Sequence, residues 1–294
     1  MALLKNKKFK GIVLAGGVGT RLSPLTKVQN KQLLPIYDKP MIFYSISILM
    51  LAKIRNLLII CNNKDLSAYN SLLGNGSRLG MNIEYKVQLK PNGLPEAFII
   101  GEQFIGKSNI VLILGDNFFY GQSLIENINK TIKKKTRAKI FLYKVRNPES
   151  YGIAKVNKNK IIEIKEKPKI FLSDLAVTGL YCFDSNVVDY SKQLKKSMRG
   201  ELEMIDLIKI YLKKKQLSFF KFGRGAAWLD TGSHKGLLDA GNFVNVIEER
   251  QGLKIACLEE ISLKNKWINK KKIKQNISFY GKCDYSEYLK KIIQ

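Results

Sequence analysis

A short apolar run that stops abruptly in glycine constrains this chain more than any other feature. Phe9 to Ala15 is apolar enough to be a strand covered on both faces, and it opens directly into Gly16-Gly17-Val18-Gly19-Thr20-Arg21. Asn56 to Cys61 and Asn109 to Leu114 repeat the continuous apolar pattern, the latter ending in Gly115-Asp116. Between these runs, Met41 to Ala52 and Leu94 to Phe104 have helical length and apolar spacing. Strands alternating with helices dictate an α/β fold with a doubly wound sheet, whose ligands gather at the carboxyl ends of the strands.

Past Pro148 the period changes. Gly152 to Val156 and Ile161 to Ile164, joined by Asn157-Lys158-Asn159-Lys160, read as an antiparallel hairpin, and Ala176 to Phe183 as a further strand, so the sheet is expected to be mixed. Glu201 to Lys213 and His234 to Arg250 carry helical spacing, and Leu217 to Phe222 reads as a late strand leading into a glycine-containing loop. The tail from about Gly252 is too short for a core of its own and is expected to pack on the main domain or on another subunit.

No stretch reaches the roughly 18 to 20 uninterrupted apolar residues of a membrane span, so no membrane association is expected. The basic opening, Met1 to Lys10, precedes an apolar segment far shorter than a signal-peptide core. Cys61, Cys182, Cys257 and Cys283 lie far apart without a C-x-x-C pair, which favours reduced thiols and a cytoplasmic location over a zinc site or a disulfide framework. The formal net charge of +27 raises the question of nucleic acid. The lysines, however, are scattered in runs such as Lys133-Lys134-Lys135, Lys213-Lys214-Lys215 and Lys270-Lys271-Lys272, without interleaved aromatics or a nucleic-acid motif, so a solvated surface accounts for them and no nucleic-acid partner is expected.

The chemistry concentrates at the glycine turn. Gly16, Gly17 and Gly19 allow unusual dihedrals and remove the Cβ atoms that would keep a polyphosphate from the backbone amides, while Thr20 and Arg21 add polar donors. The turn matches neither the P-loop, which needs G-K-[ST], nor the dinucleotide fingerprint. Lys31-Gln32-Leu33-Leu34-Pro35 returns a second cation to the neighbourhood. Asp116 and Asp230 each end an apolar run; a lone strand-end Asp is commonly a helix cap, but a pair suits Mg²⁺, which takes a few carboxylates together with phosphate oxygens.

These segments, taken with Leu114-Gly115-Asp116-Asn117, Tyr151-Gly152, Glu166-Lys167-Pro168, Val177-Thr178-Gly179-Leu180-Tyr181, Arg199-Gly200-Glu201-Leu202-Glu203 and Trp228-Leu229-Asp230-Thr231-Gly232, closely resemble the sugar-nucleotide pyrophosphorylases, and specifically their thymidylyl branch. The resemblance covers nearly the whole chain. It implies a Rossmann-like domain over residues 1–250, with a nucleotide-binding part at about 9–122, a sugar-phosphate-binding part at about 123–232, and a small helical extension over 251–294. It further implies dTTP and glucose 1-phosphate as substrates, a product feeding deoxysugar synthesis such as dTDP-rhamnose, and a homotetramer.

Roles follow from the same resemblance. Arg21 would hold the departing pyrophosphate, Lys31 would neutralise charge near the α-phosphate, Lys167 would hold the phosphate of the sugar, and Asp116 and Asp230 would be the magnesium ligands. Gly16, Gly17, Gly19, Thr20 and Gln32 belong to the nucleotide site. Gln88 and Gly93 would read the base, a glutamine amide offering the one donor and one acceptor that thymine or uracil matches. Gly152 and Glu166 would bind sugar hydroxyls, with Asn117, Thr178 and Arg199 in the same pocket and Trp228 closing it. No general base is required, since the attacking phosphate is already ionised near neutral pH. The only histidine, His234, sits at a helix start and is read as structural.

Three departures from the family pattern, Gly93-Leu94-Pro95-Glu96-Ala97, Lys165 before Glu166, and Met204-Ile205-Asp206, touch no residue assigned to chemistry and bear on substrate preference and regulation. A uridylyl or mannose-type enzyme of the same mechanism is the alternative, and a catalytically silent regulatory homologue is a third reading, although such a protein need not keep Arg21, Lys31, Asp116, Lys167 and Asp230 together. Replacing Asp116 by Asn is expected to leave the fold intact and abolish most turnover; a folded variant with full activity contradicts the assignment.

Overall fold

A computed structural model describes residues 9–121, 124–133 and 136–294. Most of the basic opening segment and two lysines of the Lys133-Lys134-Lys135 run lie outside the described residues. The strands in chain order are β1 (Phe9–Ala15), β2 (Pro35–Ile36), β3 (Lys39–Pro40), β4 (Asn56–Cys61), β5 (Asn82–Val87), β6 (Asn109–Leu114), β7 (Asn117–Gly121), β8 (Ala138–Lys144), β9 (Gly152–Asn157), β10 (Lys160–Glu166), β11 (Leu175–Phe183), β12 (Leu217–Lys221) and β13 (Ala226–Asp230). Parallel and antiparallel pairs both occur, so the fold is the mixed, doubly wound α/β type.

The chain divides into two compact units. Unit one comprises residues 1–14, 90–113 and 120–228. Its strands run in the order β10-β9-β11-β6-β1, with β8 pairing both β11 and β12. All nine residues of β11 are buried, as a central strand covered on both faces requires. The β9–β10 hairpin is antiparallel as expected, with Glu166 opposite Gly152 and a shift of register between Ile161 and Glu163.

Unit two comprises residues 15–89, 114–119 and 229–294. Here β4 and β5 pair in parallel, from Asn56 opposite Asn82 to Cys61 opposite Val87. The helix Ile42–Leu51 is buried on nearly every side, which its almost wholly apolar sequence demands. Residues 31–41 form a tight loop: a 3-10 turn at Lys31–Leu33 leads to the β2–β3 hairpin, and the Met41 amide closes it on the Leu34 carbonyl at 2.9 Å. The long helix His234–Gln251 begins at Ser233, whose hydroxyl caps it by accepting from the Gly236 amide at 3.1 Å.

Three further helices, Leu258–Lys264, Lys270–Tyr280 and Asp284–Lys291, share a small core of Cys257, Ile273, Tyr288 and Leu289. They dock within unit two through polar ties to the backbone: Ser262 donates to the Leu79 carbonyl at 2.8 Å, Asn265 to Met50 at 2.8 Å and Asn276 to Arg78 at 3.1 Å. At Gly80, φ is +63° and a methyl group would fall 2.5 Å from the Trp267 carbonyl, so only glycine admits this close approach.

Candidate active site

Unit two assembles the glycine turn, Lys31, Gln32, Gln88, Asp116 and Asp230. The turn leaves the end of β1 with Gly17 at φ +93° and Gly19 at φ +64°. A side chain at Gly19 would meet Thr26 at 2.9 Å and the Lys31 stem at 3.3 Å, so the turn and the Lys31 segment are packed backbone to side chain. Arg21 is exposed, with its guanidinium passing beside Gly232, where a methyl group would stand 2.5 Å from Nη2 and 2.8 Å from Asp230 Oδ1. Asp230 Oδ1 accepts from the Gly232 amide at 3.0 Å.

The centre of this unit is an ion pair between Lys31 Nζ and Asp116 Oδ2, with the lysine side chain nearly buried. Asn117 adds a second donor, Nδ2 to Asp116 Oδ1 at 3.1 Å. Burial by itself would push the Asp116 carboxyl up; the charge and hydrogen bond of Lys31, with the bond from Asn117, outweigh it and hold the carboxyl below the ordinary value. Thr231, next to Asp230, donates to the Asp116 carbonyl at 2.7 Å, which joins the two aspartate-bearing segments. Gln88 is buried, its backbone N–H donating to the Cys61 carbonyl at 2.9 Å, and its side-chain Oε1 lies 2.9 Å from where a Gly16 side chain would begin. Gln32 is buried too, and its Oε1 has no hydrogen-bond partner among the described residues.

Unit one assembles Gly152, Glu166, Lys167, Thr178, Arg199, Trp228 and Gly93. Lys167 has φ +41°, an uncommon conformation for a residue with a side chain, and its amide donates to the Tyr151 carbonyl at 3.0 Å. A side chain at Gly152 would meet Ile205 at 2.7 Å and Glu166 Oε2 at 3.1 Å, so the close approach of these two side chains to the hairpin depends on glycine. Arg199 lies 3.6 Å from Glu166 and 2.8 Å from Glu203. Burial, together with Glu203, pushes the Glu166 carboxyl above its ordinary value despite Arg199. Trp228 is buried against Tyr151 and Tyr143, with ring centroids 5.3 and 5.8 Å apart.

Asn117 and Gly93 fall in a different unit from the residues grouped with them in the sequence, and Thr178 is spent inside its own strand. Asn117, expected with the sugar phosphate, lies in unit two and holds Asp116. Thr178 is fully buried in β11 and its hydroxyl donates to the Phe141 carbonyl at 3.0 Å. Gly93, expected with Gln88, belongs to unit one, where any side chain would strike the Leu202 backbone at 2.1 Å. Sequence reading missed Asn30, Asn62 and Asp65, polar residues that belong to no motif and meet the site only through the fold, and it gave no role to Thr231, which lies within the Asp230 motif.

A glycine turn flanked by two cations and a pair of carboxylates has the chemistry that suits a polyphosphate in a group-transfer enzyme. A family model described as nucleotidyl transferase matches residues 10–246. The chain is 48% identical to the glucose-1-phosphate thymidylyltransferase of Neisseria meningitidis serogroup A over 97% of this chain and all of that one. It is 44% identical to the same enzyme of Mycolicibacterium smegmatis, over 97% and 99% of the two chains. A solved Bacillus anthracis structure, assigned to the glucose-1-phosphate thymidylyltransferases and determined in complex with a sucrose, is 40% identical and superposes with a TM-score of 0.75, over 80% of this chain and 94% of that one. The chain belongs to the nucleotidyl transferases and, within them, to the family of these glucose-1-phosphate thymidylyltransferases.

The ion pair makes a definite pH prediction. An unfolded aspartate titrates near ~4, and the folded Asp116 lies lower, so the stabilisation from the pair is complete above about 4 and is lost only as pH falls through the folded value. Replacing Lys31 by Met strands a largely buried carboxylate, whose titration then moves above the unfolded value. The variant's stability deficit should therefore grow from pH 4 to pH 7, reaching about 3 kcal/mol, as measured by denaturant unfolding at each pH. A deficit that is flat, or larger at pH 4, contradicts the account.

Proposed function

We propose that the chain transfers the thymidylyl group of dTTP to glucose 1-phosphate, forming dTDP-glucose and releasing pyrophosphate. The observation that carries this reading is the Lys31–Asp116 pair beside the glycine turn, in a chain 48% identical to a glucose-1-phosphate thymidylyltransferase along the whole length of that relative. The nucleotide is gripped by unit two. The glycine turn and Arg21 bind the β- and γ-phosphates that leave, Lys31 neutralises charge growing at the α-phosphate, and Gln88 reads the base through one donor and one acceptor.

The sugar phosphate is gripped by unit one. Lys167, held by its strained backbone, binds the phosphate, while Glu166 and the backbone of Gly152 bind the hydroxyls; Arg199 holds Glu166, and Trp228 walls the pocket. A phosphate oxygen of the sugar attacks the α-phosphorus in line, forming the new P–O bond as the bond to pyrophosphate breaks. The attacking oxygen carries no proton, so no side chain serves as general base.

Asp116 and Asp230 fit a magnesium ion. Among the described residues no three His, Cys, Asp or Glu side chains gather into a cage, and Mg²⁺ prefers one or two carboxylates completed by phosphate oxygens and water. When bound, the ion would supply charge to the phosphates as they separate. The enzyme is further proposed to be a cytoplasmic homotetramer that supplies deoxysugar synthesis, such as that of dTDP-rhamnose; no helix among the described residues is long and apolar enough to cross a membrane.

The test is pyrophosphate release from purified protein with Mg²⁺ and glucose 1-phosphate, comparing dTTP, UTP, GTP and ATP. dTTP is expected to give the highest kcat/KM. A preference for UTP reassigns the base pocket within the same chemistry, whereas no release with any nucleotide and several sugar phosphates supports a silent homologue.

A further inference from the structure

Beneath the glycine turn lies a polar cluster to which the mechanism gives no part. Its centre is Asp65, nearly buried at the start of the helix Leu66–Leu73. One carboxylate oxygen, Oδ2, accepts from two side-chain amides: Asn30 Nδ2 at 2.7 Å and Asn62 Nδ2 at 3.1 Å. Each amide also reaches a backbone carbonyl of the β1 exit. Asn62 Nδ2 donates to Gly17 at 3.1 Å, and Asn30 Nδ2 to Ala15 at 3.4 Å. The Asn30 side-chain oxygen is satisfied in turn by the Tyr69 hydroxyl at 2.7 Å and the backbone N–H of Gln32 at 2.9 Å. All of these groups belong to unit two.

The consequence follows from peptide geometry. In a planar trans peptide the carbonyl and the next residue's N–H point in opposite directions. Holding the Gly17 carbonyl against Asn62 turns the Val18 N–H the other way, and holding the Ala15 carbonyl against Asn30 does the same for the Gly16 N–H. Two donors of the turn are thus fixed away from the protein interior before any ligand arrives. Glycines at φ +93° and +64° would otherwise sample many orientations, and the ordering cost would be met on binding. Asn30 also caps the 3-10 turn that carries Lys31, so one carboxylate orients both the amide donors and the cation segment.

We infer that Asp65 is a positioning residue that pre-orients the phosphate-binding amides of the glycine turn through Asn62 and Asn30. It touches no reacting atom; it acts by fixing the two amides that fix the turn. This inference rests on the reading of unit two as the nucleotide site, and its signature is selective: weakened handling of the nucleotide with no change for the sugar phosphate.

The experiment measures KM for dTTP and for glucose 1-phosphate, with calorimetric affinity for dTTP·Mg²⁺ alone, in wild type, Asp65→Ala, Asp65→Asn and Asn62→Ala. Asp65→Ala should raise the KM and Kd of dTTP by about tenfold or more and leave the KM of glucose 1-phosphate within about twofold. Asp65→Asn keeps an oxygen that accepts from both amides, and should recover dTTP binding to within about threefold of wild type. Should Asp65→Ala fail to fold, Asn62→Ala, which removes the Gly17 tie and leaves the Asn30 contacts, is expected to show the same selective rise at about fivefold. Equal changes in both KM values, unchanged dTTP binding in a destabilised Asp65→Ala, or no recovery in a folded Asp65→Asn overturns the inference. A wild type that binds no nucleoside triphosphate defeats the functional reading itself; an active wild type with an indifferent Asp65→Ala defeats the positioning role alone.

Discussion

A carboxylate taken mostly out of water at the end of a strand must find a cation, and the pairing of Asp116 with Lys31 is the interaction on which the rest of unit two depends. The need to bring Lys31 to that strand end explains the tight loop around it. Asn30 caps its 3-10 turn, the β2–β3 hairpin folds back behind it, and the Lys31 stem fills the space that only glycine leaves at position 19. Thr231 then ties the Asp230 segment to the Asp116 carbonyl, so the phosphate turn, the cation and both acids are set by one connected arrangement.

Unit one solves a different problem with different means. Its acid, Glu166, is pushed up by burial rather than held down by a tight partner, and Arg199, its nearest cation, is bound more closely by Glu203. Among the described residues Lys167 makes no comparable pair, although its charge acts on the neighbouring Glu166; its backbone is left-handed and its amide is tied to Tyr151. That contrast suits the proposed division of labour, in which unit one takes a single phosphate and unit two a polyphosphate.

Much of this was legible in the sequence because it is local. β1, β4 and β6 are continuous apolar runs, and the β9–β10 hairpin announces itself by two strands around a polar turn. The expected helix over Leu94 to Phe104 is instead two short helices meeting at Gly101, whose lack of a side chain weakens the helix interior. β5 alternates polar and apolar residues and was legible in principle, but in a lysine-rich chain such short alternation is easily lost. The tail helices carry few apolar residues, and their small core exists only once Cys257, Ile273, Tyr288 and Leu289 converge. Motifs pointed to the glycine turn, Lys31 and Asp116; nothing in the sequence pointed to Asn30, Asn62 and Asp65, since asparagine and aspartate before a helix look like ordinary caps. Asn117 illustrates the same limit, for its neighbour in sequence, Asp116, is what it holds.

The central claim is that catalysis here consists of alignment and charge neutralisation, with the sugar phosphate attacking the α-phosphorus directly and no side chain forming a bond to it. The stereochemical course at that phosphorus tests this most directly, using one diastereomer of dTTP carrying sulfur at the α-position and glucose 1-phosphate. A single in-line displacement predicts inversion of configuration in the dTDP-glucose phosphorothioate. Retention would require two successive displacements through a nucleotidylated side chain, and would contradict the account.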